Sequence, residues 1–270
     1  MSYKNSYTTI VAFRNDNKDG TRMSNLRSCL KYYSGLCNNI VVVEQDNAKN
    51  IEKICAEYPN IQYVWAFNSG LFNKSWAYNI GILHANKLNL PQIYMFCDVD
   101  IAIPEQSIEQ AITMFDDENV VAVNPYSKIW HLNREQTAKF MSNYSFDVIT
   151  PDMKDSPTGS VVYAGGCVFM RDSMLKDING WDEEYRGWGA EDNAMGTVII
   201  RKYGTLRAMT IKDGICVHLW HTSGTGKSKM EHEMYMSNKE RFHKLLEVNV
   251  NDFIESRKFV SIGNKDKYYF

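Results

Sequence analysis

Two aspartates with one residue between them, Asp98 and Asp100, follow the apolar run from Ile93 to Cys97. Side chains on an extended backbone repeat every two residues, so both carboxylates can point the same way and form a compact negative site. A divalent cation held there could bridge to phosphate oxygens and stabilise a departing diphosphate. Taken alone, two acids after a strand are equally a solvated turn. His218 and His221 stand three residues apart after a second apolar run, Ile215 to Val217. Imidazole is the commonest metal-ligand side chain, and a mixed carboxylate and imidazole set suits Mn²⁺ better than an all-oxygen Mg²⁺ site. Hydrogen-bonding histidines are the plainer alternative.

Gly187-Trp188-Gly189-Ala190-Glu191-Asp192-Asn193 joins small residues that let a ligand approach the backbone, an aromatic face for a sugar ring, and adjacent acids able to deprotonate a hydroxyl. The same acids at a helix start would serve as ordinary capping groups. Ser223 to Lys227 is a short Gly/Ser-rich loop that could close over phosphates, or simply a surface loop. It lacks the first glycine of a P-loop at the required spacing.

The elements that must position these groups read as alternating strands and helices. Strand-like runs cover Thr8 to Phe13, Asn39 to Glu44, Ile61 to Trp65, Ile93 to Cys97 and Val120 to Asn124. Helical spacing covers Met23 to Tyr33, Ala48 to Tyr58, Ser75 to Lys87 and Pro104 to Phe115. That order implies an α/β fold with a mostly parallel central sheet flanked by helices. Ligands then collect beyond the carboxyl ends of the strands, where Phe13-Arg14 and Asp98-Val99-Asp100 both fall. Ser127 to Ser160 is expected to be polar, irregular and partly ordered, Val161 to Met170 a strand, Glu191 to Tyr203 a helix, and Ser228 to Leu246 the last long helix. We expect a single domain over 1–249, with a nucleotide and metal half over 8–126, an acceptor half over 127–226, and a tail over 250–270.

The 270 residues carry a formal charge of -2 and are 44% hydrophobic, which excludes a disordered chain and a global drive toward nucleic acid or an anionic membrane. No apolar run approaches the roughly 20 residues that cross a bilayer. Met1 to Tyr7 lacks the apolar stretch of a secretory signal, so the expected location is cytoplasmic. The six cysteines show no CxxC pair and read as reduced and structural.

In this order the pieces resemble glycosyltransferases of the GT-A fold, in particular the β-1,4-galactosyltransferase family and related bacterial family 2 and polypeptide N-acetylgalactosaminyltransferase-like enzymes. The most specific stretch is Tyr163-Ala164-Gly165-Gly166, then Asn179-Gly180-Trp181, then Tyr185-Arg186-Gly187-Trp188-Gly189-Ala190-Glu191-Asp192. The resemblance implies a Rossmann-like single domain that uses Mn²⁺, with Mg²⁺ as the alternative, and a UDP-sugar donor. It places Phe13, Arg14, Phe72, Asn73, Lys74, Asp98, Val99, Gly166 and Lys227 on the nucleotide-sugar side. It makes Asp100, His218 and His221 the metal ligands, Asp192 the general base, and Glu191, Trp188 and Tyr163 the acceptor contacts. The implied reaction is direct displacement with inversion onto a glycan hydroxyl. Ala190, where a second glycine is usual, and Asn193, where an acid is common, depart from the pattern, so donor and acceptor preferences do not carry over. A nucleotidyltransferase and a non-catalytic, metal-dependent carbohydrate-binding protein are the competing expectations.

Overall fold

The computed structural model describes residues 2–15, 19–157, 165–222, 228–258 and 262. Tyr163, Lys227 and the rest of the Ser223 to Lys227 loop lie outside the described residues.

From the N-terminus the elements are β1 (Thr8–Phe13), α1 (Thr21–Ser34), β2 (Ile40–Asp46), α2 (Glu52–Cys55), β3 (Ile61–Phe67), α3 (Lys74–Lys87), β4 (Ile93–Cys97), β5 (Ile101–Ala102), α4 (Glu105–Met114) and β6 (Ala122–Asn124). There follow β7 (Lys128–His131), α5 (Arg134–Asn143), β8 (Ser156–Pro157), β9 (Cys167–Arg171), α6 (Asp172–Asp177), α7 (Glu191–Tyr203), β10 (Ala208–Thr210), β11 (Ile215–His218), α8 (Lys229–Glu247) and α9 (Val250–Ser256). The main sheet runs β10-β6-β9-β4-β1-β2-β3, and β9 alone is antiparallel to its neighbours. A second, four-stranded sheet runs β5-β11-β7-β8.

Strands buried on both faces explain the near-continuous apolar runs of the sequence. Ile10 and Ala12 of β1, Val41 and Val43 of β2, and Tyr94 and Phe96 of β4 face one core with Ala77, Tyr78, Ile80 and Ile82 of α3. The alternate residues Val11, Phe13, Ile40, Val42, Met95 and Cys97 face the other core with Leu26, Leu30 and Tyr33 of α1. α3 lies unusually close to β1: a Cβ on Gly81 would stand 2.4 Å from Ile10 Cγ2, so only glycine permits this approach.

The helix over Ala48 to Tyr58 shrinks to the single turn of α2, because side chains capture the backbone just before it. Asn50 N and Ile51 N donate to the Glu44 carboxylate and Asn47 N to Asp46 Oδ1, offering alternatives to a helical ladder. The irregular stretch after Ser127 contains β7, α5 and β8, with Asn133 and Gln136 forming a capping box at the start of α5. Of the strand expected over Val161 to Met170, residues 161–164 lie outside the described residues, and β9 covers Cys167–Arg171. The tail after position 249 opens with α9, whose Val250, Phe253 and Ile254 are buried in the same core as α3 and α7. Among the described residues, no helix is long and apolar enough to cross a membrane.

Candidate active site

The carboxyl ends of β1, β2 and β3 are tied together by Arg14. Its Nε donates to Gln45 O at 2.7 Å and its Nη groups donate to Asn68 O and Gly70 O. Gln45, fully buried, accepts from Asn73 N at 2.6 Å and donates to Asn73 O at 3.1 Å, which fixes the start of α3. Asn73 is the N-cap: its Oδ1 accepts from Trp76 N at 2.8 Å and its Nδ2 donates to Glu183 O at 2.7 Å. Phe72 is half-buried, and its carbonyl accepts from Gly187 N at 2.7 Å. The ring of Phe13, which the resemblance put on the nucleotide-sugar side, is turned by the strand alternation into the α1-side core, where it is 1% exposed. Val99 is likewise buried, between the two acids that flank it.

Asp100 and the two histidines do converge. β11 pairs antiparallel with β5, His218 opposite Ile101, and Leu219 N donates to Asp100 O at 2.7 Å. One ligand atom each from Asp100, His218 and His221 can be chosen so that all lie within 4.8 Å of one another. His221 Nε2 is 3.2 Å from Asp100 Oδ2, and His218 Nε2 is 4.0 Å from Asp100 Oδ1. Donors about 2.0–2.2 Å from one ion stand roughly 3–4.4 Å apart, a range that takes in these two separations, so the set fits a transition metal. Nδ1 of His221 lies 3.1 Å from Thr222 O, a partner that would keep the proton on Nδ1 and the lone pair on Nε2.

Charge at this trio is polarised. Burial acts to raise the Asp100 carboxyl, but the His221 hydrogen bond and the positive field of His218, His221 and Arg22 outweigh it and hold Asp100 below its ordinary range. His221 is raised, chiefly by that same hydrogen bond. His218 is lowered, chiefly by burial.

Asp98 points elsewhere, into a second cluster. Lys74, the first residue of α3, places Nζ 2.9 Å from both carboxylate oxygens of Asp192, 3.0 Å from Glu191 Oε1 and 3.7 Å from Asp98 Oδ2. Tyr78 OH donates to Asp98 Oδ1 at 3.0 Å. Burial and the neighbouring acids push Asp192 up to about 7 and Asp98 up to about 6, although Lys74 pulls against both. Asp192 Oδ2 also lies only 2.7 Å from where a Cβ on Gly165 would stand. Gly166 O accepts from Asp98 N at 2.7 Å, and Tyr126 OH donates to Gly165 O while accepting from Cys167 N at 3.1 Å.

Glu191 and Asp192 open α7, where the helix dipole favours carboxylates. Ala190 before them adopts φ 72, the left-handed conformation that glycine takes at no steric cost. The preceding loop is held from two sides. Asn79 of α3 accepts from Trp181 N and donates to Glu183 Oε1, while Arg241 of α8 forms a two-point bridge to Asp182 at 2.8 and 3.0 Å. Trp188 remains 61% exposed and stacks on Tyr235 of α8 at 5.2 Å.

Lys74 therefore sits among acids of both halves of the chain. Tyr78, Tyr126, Gln45 and Tyr235 were absent from the sequence-level candidates, since each reads as an ordinary core or surface residue. Only the i, i+4 spacing of Lys74 and Tyr78 on one helix could have hinted that they share a neighbour.

Comparison with known proteins agrees with this architecture. The family model described as "Glycosyl transferase family 2" matches residues 24–178, and one described as "N-terminal domain of galactosyltransferase" matches residues 152–222. A crystal structure of GalNAc-T7 with UDP, GalNAc and Mn²⁺ superposes with TM-score 0.54 at 12% identity, covering 94% of this chain and 54% of that one. This chain thus spans about half the length of that relative, and the likeness speaks for a shared GT-A fold. The catalytic domain of Drosophila β1,4-galactosyltransferase 7 in complex with xylobiose gives TM-score 0.48 at 18% identity, covering 85% of this chain and 79% of that one. No curated protein matches. With the family 2 match extending over more than half of its length, from α1 to α6, the chain belongs to glycosyl transferase family 2.

Proposed function

We propose that this glycosyltransferase moves a hexose or N-acetylhexosamine from a UDP-sugar to a hydroxyl of a glycan acceptor, with inversion. The observation that carries the reading is the division of labour between two neighbouring side-chain clusters. Asp100, His218 and His221 converge as one ligand set, while Asp192 sits in a separate cluster with Glu191, Lys74 and Asp98. Asp100, His218 and His221 would hold Mn²⁺, which when bound neutralises the donor diphosphate and stabilises UDP as it leaves. The GalNAc-T7 structure that shares the fold holds UDP and Mn²⁺, and this supports the same donor class here.

Asp98 takes the donor side, beside the metal set but turned toward Lys74. Asp192 removes the acceptor proton as that oxygen attacks the anomeric carbon, so the C–O bond to the acceptor forms as the bond to UDP breaks. No sugar–enzyme bond is needed. Glu191 hydrogen-bonds the acceptor, and the exposed indole of Trp188 offers a face for a sugar ring. Residues 8–126 supply Lys74, Asp98 and Asp100, and residues 127–226 supply Asp192, His218 and His221, so the donor and acceptor halves share the site.

The test is UDP release from UDP-galactose, UDP-glucose, UDP-GalNAc and UDP-GlcNAc, with Mn²⁺ and with chelator. Release from at least one donor that requires metal is the expected result. Absence of both UDP binding and UDP release across the panel would overturn the reading.

A further inference from the structure

Lysine at the first position of a helix is electrostatically unfavourable, because the helix N-terminus already carries partial positive charge. Lys74 occupies that position in α3, nearly buried, and its ammonium is surrounded by three carboxylates from two other elements. Those acids hold it in place. Its two shortest contacts are the two oxygens of Asp192, each at 2.9 Å, whereas the donor-side Asp98 is the most distant of the three at 3.7 Å. Oδ2 accepts a hydrogen bond from Lys74, and Oδ1 is in ion contact with the same ammonium at the same distance.

We infer that Lys74 is a positioning residue for the acceptor-side base: it holds both oxygens of the Asp192 carboxylate in place to take the acceptor proton. This inference rests on the proposed role of Asp192, and it moves Lys74 from the nucleotide side, where sequence resemblance put it, to the acceptor side. During transfer the acceptor O–H bond breaks and its proton passes to the Asp192 carboxylate. The ammonium keeps its own proton throughout and retains Glu191 and Asp98 as partners once Asp192 is neutral. The charged groups facing Asp192 are Lys74 from α3, Glu191 from α7 and Asp98 at the end of β4, the last bonded by Tyr78. Of these only Lys74 favours the ionised base; Glu191 and Asp98 oppose it. The lysine is thus the group that keeps a buried carboxylate ionised and oriented among like charges.

Lys74→Met, Lys74→Arg, Glu191→Gln and Asp192→Asn separate the possibilities. UDP release with Mn²⁺ is followed from pH 5 to 9 at saturating UDP-sugar, and the Asp192 carboxyl is titrated in ligand-free protein by ¹³C NMR. The base must be ionised, so the rate rises with pH through the Asp192 titration. Lys74→Met should move that rising limb and the NMR titration to higher pH by at least one unit, an approximately tenfold loss of rate below the limb. Lys74→Arg should keep the limb near its wild-type position, and Glu191→Gln should move it to lower pH. If Lys74→Met folds poorly, the Arg and Gln variants still decide, because an unmoved limb in Glu191→Gln overturns the inference. An unmoved limb in Lys74→Met with donor KM raised tenfold or more would return Lys74 to the nucleotide side and overturn it too. If Asp192→Asn keeps transfer, the fault lies with the role given to Asp192 itself.

Discussion

Replacing Gly165 by alanine perturbs the site through a single methyl group. Gly165 has φ +102, a conformation L-residues rarely adopt, and its Cβ would stand 2.7 Å from Asp192 Oδ2 and 3.6 Å from Asp192 Cγ. Ordinary contact begins near 3.4 Å, so the carboxylate would have to retreat by several tenths of an ångström. It cannot retreat freely, because Lys74 Nζ holds both of its oxygens at 2.9 Å. Backbone strain at such a position costs about 1–3 kcal/mol. For a chain of this size that corresponds to a fall in Tm on the order of 5 °C. The catalytic loss should be larger, since a misplacement of about 1 Å costs roughly 10²-fold in rate. We expect kcat to fall by about ten- to a hundredfold, with Mn²⁺-dependent UDP binding unchanged because the Asp100 set is separate. Thermal melts, UDP titration and a rate measurement at saturating donor read all three quantities. A Gly165→Ala protein with kcat within twofold of wild type would refute the claim that the position of the Asp192 carboxylate governs the chemistry.

Tyr126→Phe removes the hydroxyl that bridges Gly165 O and Cys167 N, and should cost about 1–3 kcal/mol in a denaturant melt because these groups are buried. The ligand-free protein should lose stability as pH rises from about 4 to about 7: folded Asp98 and Asp192 hold protons up to about 6 and about 7, whereas their unfolded counterparts release them near 3.9. Asp192→Asn should flatten that slope and give a Tm at pH 8 above wild type. His221→Ala should weaken Mn²⁺ binding at least tenfold by electron paramagnetic resonance. In wild type the affinity should fall as pH drops through the raised titration of His221, because the protonated imidazole cannot ligate. Trp188→Ala should leave Tm within about 2 °C, as the ring is largely exposed, while raising KM for a glycan acceptor.

Much of the fold was readable because strands buried on both faces leave unbroken apolar runs and α7 starts at its two acids. Glu191 to Tyr203 is both the expected and the observed helix. What sequence could not reveal depends on pairings between distant residues. The antiparallel insertion of β9 between β4 and β6 has no local signature, nor does the second sheet that carries His218 to Asp100. α2 was overestimated because hydrogen bonds from Glu44 and Asp46 compete with the helix locally, and periodicity does not register them. At the site, residue types were legible and directions were not. The spacing of Asp98 and Asp100 suggested two carboxylates pointing together, yet β4 ends at Cys97, and beyond it Asp98 turns to Lys74 and Asp100 to the histidines. Phe13 was read by motif, and the strand period that places it in the core was already in the sequence.

The separation of metal from base is the central claim, and paired variants test it directly. UDP binding in the presence of Mn²⁺, measured by titration calorimetry, is compared with UDP-sugar turnover for wild type, Asp100→Ala and Asp192→Asn. Asp100→Ala should lose metal-dependent UDP binding and turnover together, whereas Asp192→Asn should bind UDP within about twofold of wild type and lose turnover by at least a hundredfold. Metal-dependent UDP binding that survives in Asp100→Ala, or turnover that survives in Asp192→Asn, would contradict it.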